Sequence, residues 1–271
     1  MNADYAVKTR DYTIRKGDAL IFGKLYEPEA EGIFPLVVIG HGYNGSWQDW
    51  TQECQYFAEH GIAAFAYDFC GGSTHSQSSG LTTDMTVLTE RDDVIAVFHA
   101  FRQMEQFAPI FLMGGSQGGF ATALAAEQIR DLAAGMVLYY PALCITDNWK
   151  EKYPQGSEVP ECIDFWDMRL GRCYADTACS MDALEQIGSF GKPVLIIHGT
   201  DDPVVPISYS ERAAAGYPDA RMTALPGEGH GFSPEGSAEA MKLAYRFMED
   251  LLKPYLGNEA GSRNNGKPEE R

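Results

Sequence analysis

One serine in the sequence has a setting that could make it a nucleophile. Ser116 lies in the run Gly-Gly-Ser-Gln-Gly-Gly at 114–119, after an apolar segment at 109–113 and before a helical segment at 120–130. A Gly-x-Ser-x-Gly turn between a strand and a helix forces the serine backbone into a strained conformation, and its glycines are needed where the two elements approach too closely for a Cβ. The pattern predicts a serine hydroxyl that is raised clear of the sheet.

A nucleophilic serine needs a base, and the base needs an acid that orients it. Asp202 follows a buried-strand pattern at 193–197, and His230 lies in a glycine-rich loop at 226–232 that follows another predicted strand. We expect both side chains at the same edge of a sheet, since each follows a strand. Serine, acid and histidine then form a triad in the chain order Ser116, Asp202, His230.

Neighbouring residues offer alternatives for the acid and the base. Asp201 adjoins Asp202, but the Gly-x-x-Asp spacing and the backbone restriction by Pro203 favour Asp202. His41 precedes the nucleophile in the chain and is interpreted as a residue that shapes its loop. His198 ends a strand, so it is predicted to be a packed, hydrogen-bonded histidine.

These motifs resemble those of the α/β-hydrolases over residues 34–252, and within that fold they are similar to the bacterial cinnamoyl and feruloyl esterases. The residues that carry the resemblance are His-Gly-Tyr at 41–43, the glycine turn around Ser116, and the segments 198–202 and 229–232. The loop at 68–76 differs, because relatives often carry Gly-His-Gly-x-Ser there. The resemblance implies an α/β-hydrolase fold, which is a mostly parallel, doubly wound sheet with a small cap insertion.

The chemistry that follows is ester hydrolysis through an acyl-enzyme. His230 would take the Ser116 proton as the hydroxyl attacks a carbonyl, and Asp202 would fix the histidine tautomer. The backbone N–H groups of Gln117 and Tyr43 are the predicted oxyanion donors. This mechanism requires no cofactor and no metal.

The elements around these residues alternate along the chain. A hairpin is predicted from 11–16 and 19–26, buried strands at 36–39, 62–67 and 136–140, and helices at 50–60, 86–104, 206–216 and 237–252. This alternation predicts a doubly wound α/β sheet in one domain, residues 1–256. The polar segment 257–271 is predicted to be a disordered tail.

The alternation breaks down between 142 and 188, where the sequence predicts a cap over the nucleophile. Its aromatic residues could form an apolar wall that stacks on a ring-bearing acyl group, or they could simply hold the cap together. They are Trp149, Tyr153, Phe165, Trp166 and Tyr174. The family resemblance implies that Asp147 and Tyr174 lie near positions that contact a phenolic hydroxyl; Trp149 and Trp166 are further candidates for substrate binding.

The charge and hydropathy of the sequence restrict the classes of partner that we expect the protein to bind. The formal charge of −17 over 271 residues argues against nucleic acids and anionic membranes, since both attract clustered Lys and Arg. No run approaches the length of a membrane span, and the N-terminus lacks an apolar signal core. We expect a cytoplasmic protein whose partner is a small-molecule ester, with no nucleic-acid or membrane partner, and leave a homodimer open.

The six cysteines show neither a Cys-x-x-Cys pair nor metal-ligand spacing to a histidine. Most are expected to be buried thiols, with a disulfide among Cys162, Cys173 and Cys179 as the alternative.

Two classes of function remain open on the sequence. The first is a serine carboxylester hydrolase, preferably of hydroxycinnamate (feruloyl or cinnamoyl) esters, with general short-chain esterase, lipase, thioesterase or small-peptide hydrolase as variants. The second is a non-catalytic protein of the same fold that binds a small ligand. A complete triad with both oxyanion elements favours the enzyme.

Overall fold

The computed structural model describes residues 4–262. Within them the strands are β1 (Val7–Lys16), β2 (Ala19–Pro28), β3 (Phe34–Gly40), β4 (Ala63–Tyr67), β5 (Phe107–Gly115), β6 (Met136–Tyr139), β7 (Cys162–Phe165), β8 (Met168–Gly171), β9 (Val194–Gly199) and β10 (Ala220–Leu225). The helices are α1 (Thr51–Glu59), α2 (Val87–Arg102), α3 (Ser116–Ile129), α4 (Ile145–Lys152), α5 (Arg172–Cys179), α6 (Ser208–Gly216) and α7 (Pro234–Ser262).

Eight of the described strands form one sheet in the order β1-β2-β4-β3-β5-β6-β9-β10. β1 and β2 form the predicted hairpin and pair antiparallel, and β2 also pairs antiparallel with β4. Every other neighbour in this sheet is parallel. The prediction of a mostly parallel, doubly wound α/β sheet is therefore confirmed.

Both faces of the sheet are buried, which explains why its central strands read as unbroken apolar runs. In β3, Leu36 and Val38 pack into one hydrophobic cluster with residues of α2, α3 and α6. Val37 and Ile39 point the other way, into a second cluster with residues of α1 and α7. The alternation of side chains along a strand thus feeds two cores at once.

The helix ends follow local sequence signals. Ser46 caps a 3₁₀ turn, Trp47–Trp50, that leads into α1, and Gly61 follows that helix with a positive φ of 86°. Thr86 caps α2 by accepting hydrogen bonds from the amides of Leu88 and Thr89. None of the helices in the described part of the chain is long and apolar enough to cross a bilayer.

The predicted cap, 142–188, folds as α4, the antiparallel hairpin of β7 and β8, and α5. At the other end, the last helix continues through Ser262. The prediction of a disordered tail from residue 257 is therefore corrected for 257–262, because these residues belong to α7. Residues 263–271 of the predicted tail lie outside the described residues.

All six cysteines are free thiols, so the alternative of a disulfide in the cap is wrong for this structure. Only Cys54 and Cys144 are buried, whereas Cys162 and Cys173 are exposed. The expectation that most of them are buried was therefore also too broad.

Candidate active site

The turn between β5 and α3 holds Ser116 in a left-handed conformation with a φ of 53°. A non-glycine residue adopts this region at a cost, and here the glycines around it allow the close packing that imposes it. A Cβ on Gly118 would overlap the carbonyl oxygen of His41, and one on Gly114 would lie 2.5 Å from the carbonyl oxygen of Gly118. Ser116 is thus raised at the carboxyl end of the sheet, where α3 begins.

The tertiary structure brings the three predicted triad residues together. The His230 Nε2 lies 2.9 Å from Ser116 Oγ, and the His230 Nδ1 lies 2.7 Å from Asp202 Oδ2. With Nδ1–H donating to the carboxylate, Nε2 is left to accept the serine proton. The arrangement can therefore deprotonate Ser116 as its oxygen attacks an electrophile.

The Asp202 carboxylate is fully buried and held in place by backbone donors. Its Oδ1 accepts from the amides of Val204 and Val205 at 2.8 and 2.9 Å. Burial raises the pKa of Asp202, but these amides and His230 together lower it by more than burial raises it, so the pKa lies below its ordinary value. Asp202 therefore stays ionised and can stabilise an imidazolium.

The alternatives for base and acid lie elsewhere. Asp201 accepts a hydrogen bond from its neighbour Thr200 and does not contact His230. His198 is buried; its Nε2 lies 3.0 Å from the Val205 carbonyl and 3.2 Å from Asp202, while its Nδ1 lies 2.7 Å from Ser210 Oγ. Burial lowers the pKa of His198. It is the packed, hydrogen-bonded histidine that the sequence predicted.

His41 shapes the loop that faces the nucleophile, as predicted. Its ring is buried, with Nδ1 donating to the Gly42 carbonyl at 2.7 Å and Nε2 accepting from the Phe69 amide at 3.0 Å. A Cβ on Gly42 would lie 3.3 Å from Ser116 Cβ, so this loop borders the serine directly. The predicted oxyanion residues, Tyr43 on the loop and Gln117 in the first turn of α3, therefore flank Ser116.

A buried hydrogen-bond network that was not predicted from the sequence fixes the side chain of Gln117. The amide Nε2 donates to Glu90 Oε1 at 2.9 Å, and the Tyr174 hydroxyl donates to Gln117 Oε1 at 2.6 Å. Burial raises the pKa of Glu90 well above its ordinary value. The network connects α2 and the cap helix α5 to the turn that carries Ser116. In the sequence it is indicated by Glu90, which stands at the helical spacing of the apolar residues Val87 and Val94.

Two cavities meet at Ser116. The first, here named the cap-side cavity, has a volume of about 200 Å³. Aromatic and aliphatic side chains dominate its wall, together with Gln117 and Asn148. The predicted aromatic residues that line it are Trp149, Phe165, Trp166 and Tyr174.

The second, here named the His230-side cavity, has a volume of about 360 Å³ and also borders Ser116. His230 lines it but does not line the cap-side cavity. Two acidic residues, Asp49 and Glu53, also line it. Neither was predicted from the sequence, although Glu53 lies on the apolar stripe of α1 with Cys54 and Phe57.

Of the four predicted substrate-binding residues, three lie at the cap-side cavity. Trp149 and Tyr174 are buried in its wall, whereas Trp166 is 61% exposed and lines both cavities. Asp147 does not line it: the residue is exposed, and its carboxylate accepts a hydrogen bond from Tyr209 at 2.6 Å. The position near a phenolic hydroxyl that the resemblance implied for Asp147 therefore does not lie in this cavity, and its neighbour Asn148 lines the cavity wall instead.

No set of three or more His, Cys, Asp or Glu side chains within residues 4–262 is arranged to hold a metal ion.

Two protein-family models match consecutive parts of the chain. The one described as serine aminopeptidase, S33, matches residues 33–166, and the one described as TAP-like protein matches residues 163–259. Both describe α/β-hydrolase domains.

Solved structures of the same fold cover nearly all of this chain. Est1E from Butyrivibrio proteoclasticus, determined with ferulic acid bound, aligns with a TM-score of 0.82 at 24% identity, over 89% of this chain and 99% of that one. DcsB, in complex with its substrate analogue, aligns at 0.75 and 16% identity, over 90% and 100%. A monoacylglycerol lipase from Paleococcus ferrophilus aligns at 0.65 and 18% identity, over 82% and 98%. With the sheet order and the glycine turn, these structures show that the chain has the α/β-hydrolase fold, in agreement with the two family matches over residues 33–259.

Proposed function

We propose that this protein hydrolyses carboxylic esters through an acyl-enzyme on Ser116, and that hydroxycinnamate esters are its preferred substrates. The observation that carries the proposal is the hydrogen-bonded series Ser116, His230, Asp202 at a point where two cavities meet. One cavity can hold the acyl group and the other the alcohol. A binding protein would need neither a base on the serine nor a buried acid behind it.

Acylation begins with attack of Ser116 Oγ on the ester carbonyl carbon, while His230 Nε2 takes the serine proton. The carbonyl oxygen becomes an oxyanion, which the backbone N–H groups of Gln117 and Tyr43 stabilise. The bond between the carbonyl carbon and the alcohol oxygen then breaks, and His230 gives its proton to the departing alcohol. Asp202 stabilises the imidazolium during these steps.

Deacylation repeats the sequence with water. Water gives a proton to His230 and bonds to the acyl carbon, and the bond to Ser116 Oγ breaks as His230 returns the proton to the serine. The carboxylic acid leaves and the triad is restored. Every proton is carried by His230, so no cofactor takes part in the proposal.

The cap-side cavity supports a planar, ring-bearing acyl group. Trp149, Phe165 and Tyr174 present aromatic surface, against which a ring can pack face to edge or with an offset. The amide of Asn148 offers a polar group for a ring hydroxyl. Est1E, which shares the fold, binds ferulic acid.

A second candidate, suggested by the serine aminopeptidase description of one family match, is less well supported. An aminopeptidase must hold the free ammonium group of its substrate on the acyl side of the scissile bond, and a carboxylate is the usual partner for a buried ammonium. Neither Asp nor Glu lines the cap-side cavity within the described residues. The acidic residues line the other cavity.

The test compares Ser116→Ala with Ser180→Ala, an exposed serine at the end of α5 that lines neither cavity. Methyl ferulate, p-nitrophenyl esters of graded chain length and aminoacyl amides are the substrates. We expect Ser116→Ala to lose ester hydrolysis by several orders of magnitude and fluorophosphonate labelling entirely, because triad members act as a unit. Retention of more than a few per cent activity would refute the nucleophile; better turnover of butyrate than ferulate esters would refute the acyl preference.

A further inference from the structure

The position of His230 assigns the two sides of the site. In the proposed reaction His230 delivers its proton to the oxygen of the departing alcohol, so the alcohol must lie beside its Nε2. Only one of the two cavities at Ser116 is lined by His230. The His230-side cavity is therefore the alcohol side, which leaves the cap-side cavity for the acyl group.

The alcohol side extends outward from the nucleophile. A second depression of about 480 Å³ shares Asp49, Glu53, Phe232 and Ser237 with the His230-side cavity, so the two form one continuous feature, here named the alcohol groove. Beyond the shared residues it is lined by hydroxyl and amide side chains, among them Thr51 and Gln52. An alcohol larger than methanol or ethanol has room here and finds hydrogen-bonding partners.

The charge of the alcohol groove is of one sign. Asp49 and Glu53 line both parts of it, and among its lining residues in the described chain there is neither Lys nor Arg. The exposed Asp49 carboxylate already accepts from the Ser46 amide at 2.9 Å. Glu53 is different, since only 8% of it is exposed and its own backbone amide is its one hydrogen-bond partner in the described residues.

A largely buried carboxyl whose protein partner is only its own backbone amide is costly, and its remaining acceptor sites are satisfied by a ligand or water that enters the groove. We propose that Glu53 is a specificity-determining residue of the alcohol groove, which takes neutral, hydroxyl- or amide-bearing alcohols and rejects alcohols that carry a carboxylate. This inference rests on the proposed ester hydrolysis. A neutral donor can hydrogen-bond to Glu53, whereas a second carboxylate forces one of the two groups to be protonated.

The size of the effect follows from that protonation. Burial raises the pKa of Glu53 to about 7. At pH 8 an anionic alcohol that requires protonated Glu53 loses about tenfold in binding, because that pH lies about one unit above the pKa. Asp49 would add to this loss.

The experiment uses two esters that differ only in the alcohol, glycolamide or glycolate, each made with ferulate and with butyrate as the acyl group. We expect the unmodified enzyme at pH 8 to favour the glycolamide ester. The ratio of kcat/KM for the glycolamide ester to kcat/KM for the glycolate ester should fall by about tenfold in Glu53→Gln. Glu53→Met, which has a similar volume and no charge, should do the same. Glu59→Gln, on the same helix but outside the groove, should leave the ratio unchanged.

The two proposals fail separately. If neither glycolamide ester is hydrolysed, the ester hydrolase is wrong. If the esters are hydrolysed and the ratio is the same in the unmodified enzyme, Glu53→Gln and Glu53→Met, then the assignment of Glu53 is overturned while the hydrolase stands. The same ratio for both acyl groups would show that the effect belongs to the alcohol side.

Discussion

Replacing Glu53 by glutamine should make the protein more stable, and more so at high pH. Burial raises the pKa of Glu53 from 4.5 to about 7. Between these values the folded state binds more protons than the unfolded state, so the stability that Glu53 contributes is lost as the pH rises through its folded pKa. A difference of that size corresponds to about 3 kcal/mol once the carboxyl is ionised in both states.

Glutamine keeps the shape of the side chain but has no charge to bury. We therefore expect the stability of Glu53→Gln relative to the unmodified protein to increase by about 2–3 kcal/mol between pH 5 and pH 8. For a domain of this size that is a rise in Tm of roughly 5–10 °C.

Urea unfolding at a series of pH values, with calorimetry at the two extremes, measures this difference directly. Glu59→Gln serves as the control, since it removes a charge from the same helix outside the groove. A stability difference between Glu53→Gln and the unmodified protein that does not change with pH would refute the reasoning, because it would mean that Glu53 is solvated like an exposed glutamate.

Three further outcomes are expected. Asp202→Asn should lower kcat by about 10⁴, the cost of the same change in a chymotrypsin-type triad, because it favours the wrong tautomer of His230. Asp201→Asn should lower kcat much less. Steady-state kinetics on one ester checks this ranking, and the reverse order would contradict it. Asn148→Ala should reduce the preference for ferulate over butyrate esters, measured as the ratio of their kcat/KM values. Asp147→Ala should change that preference less, since of the two residues only Asn148 lines the cap-side cavity. An equal loss in both variants would argue against the placement of Asn148 at the substrate. Gly118→Ala should lower the free energy of unfolding by at least about 2 kcal/mol, because its Cβ would overlap the His41 carbonyl oxygen. Denaturant unfolding measures this loss. Gly191→Ala is the control, since a Cβ there meets nothing within 4 Å.

The sequence by itself predicted the candidate nucleophile and the order of its partners. The turn at Ser116 depends on glycines that are adjacent in the chain, and Asp202 and His230 follow strands whose apolar runs are readable without the fold. Local spacing also separated Asp202 from Asp201. Such features are predictable because their physical causes, backbone strain and strand burial, act over a few residues.

The contents of the two cavities were decided by the tertiary structure alone. Successive residues of a helix point about 100° apart, so the choice between Asp147 and Asn148 depends on how α4 is rotated against the sheet. Glu53 lies in a helix far along the chain from Ser116, and only the packing of α1 against the sheet places its carboxyl near the nucleophile. Pairing between distant segments fixes these positions, and no local pattern in the sequence encodes it.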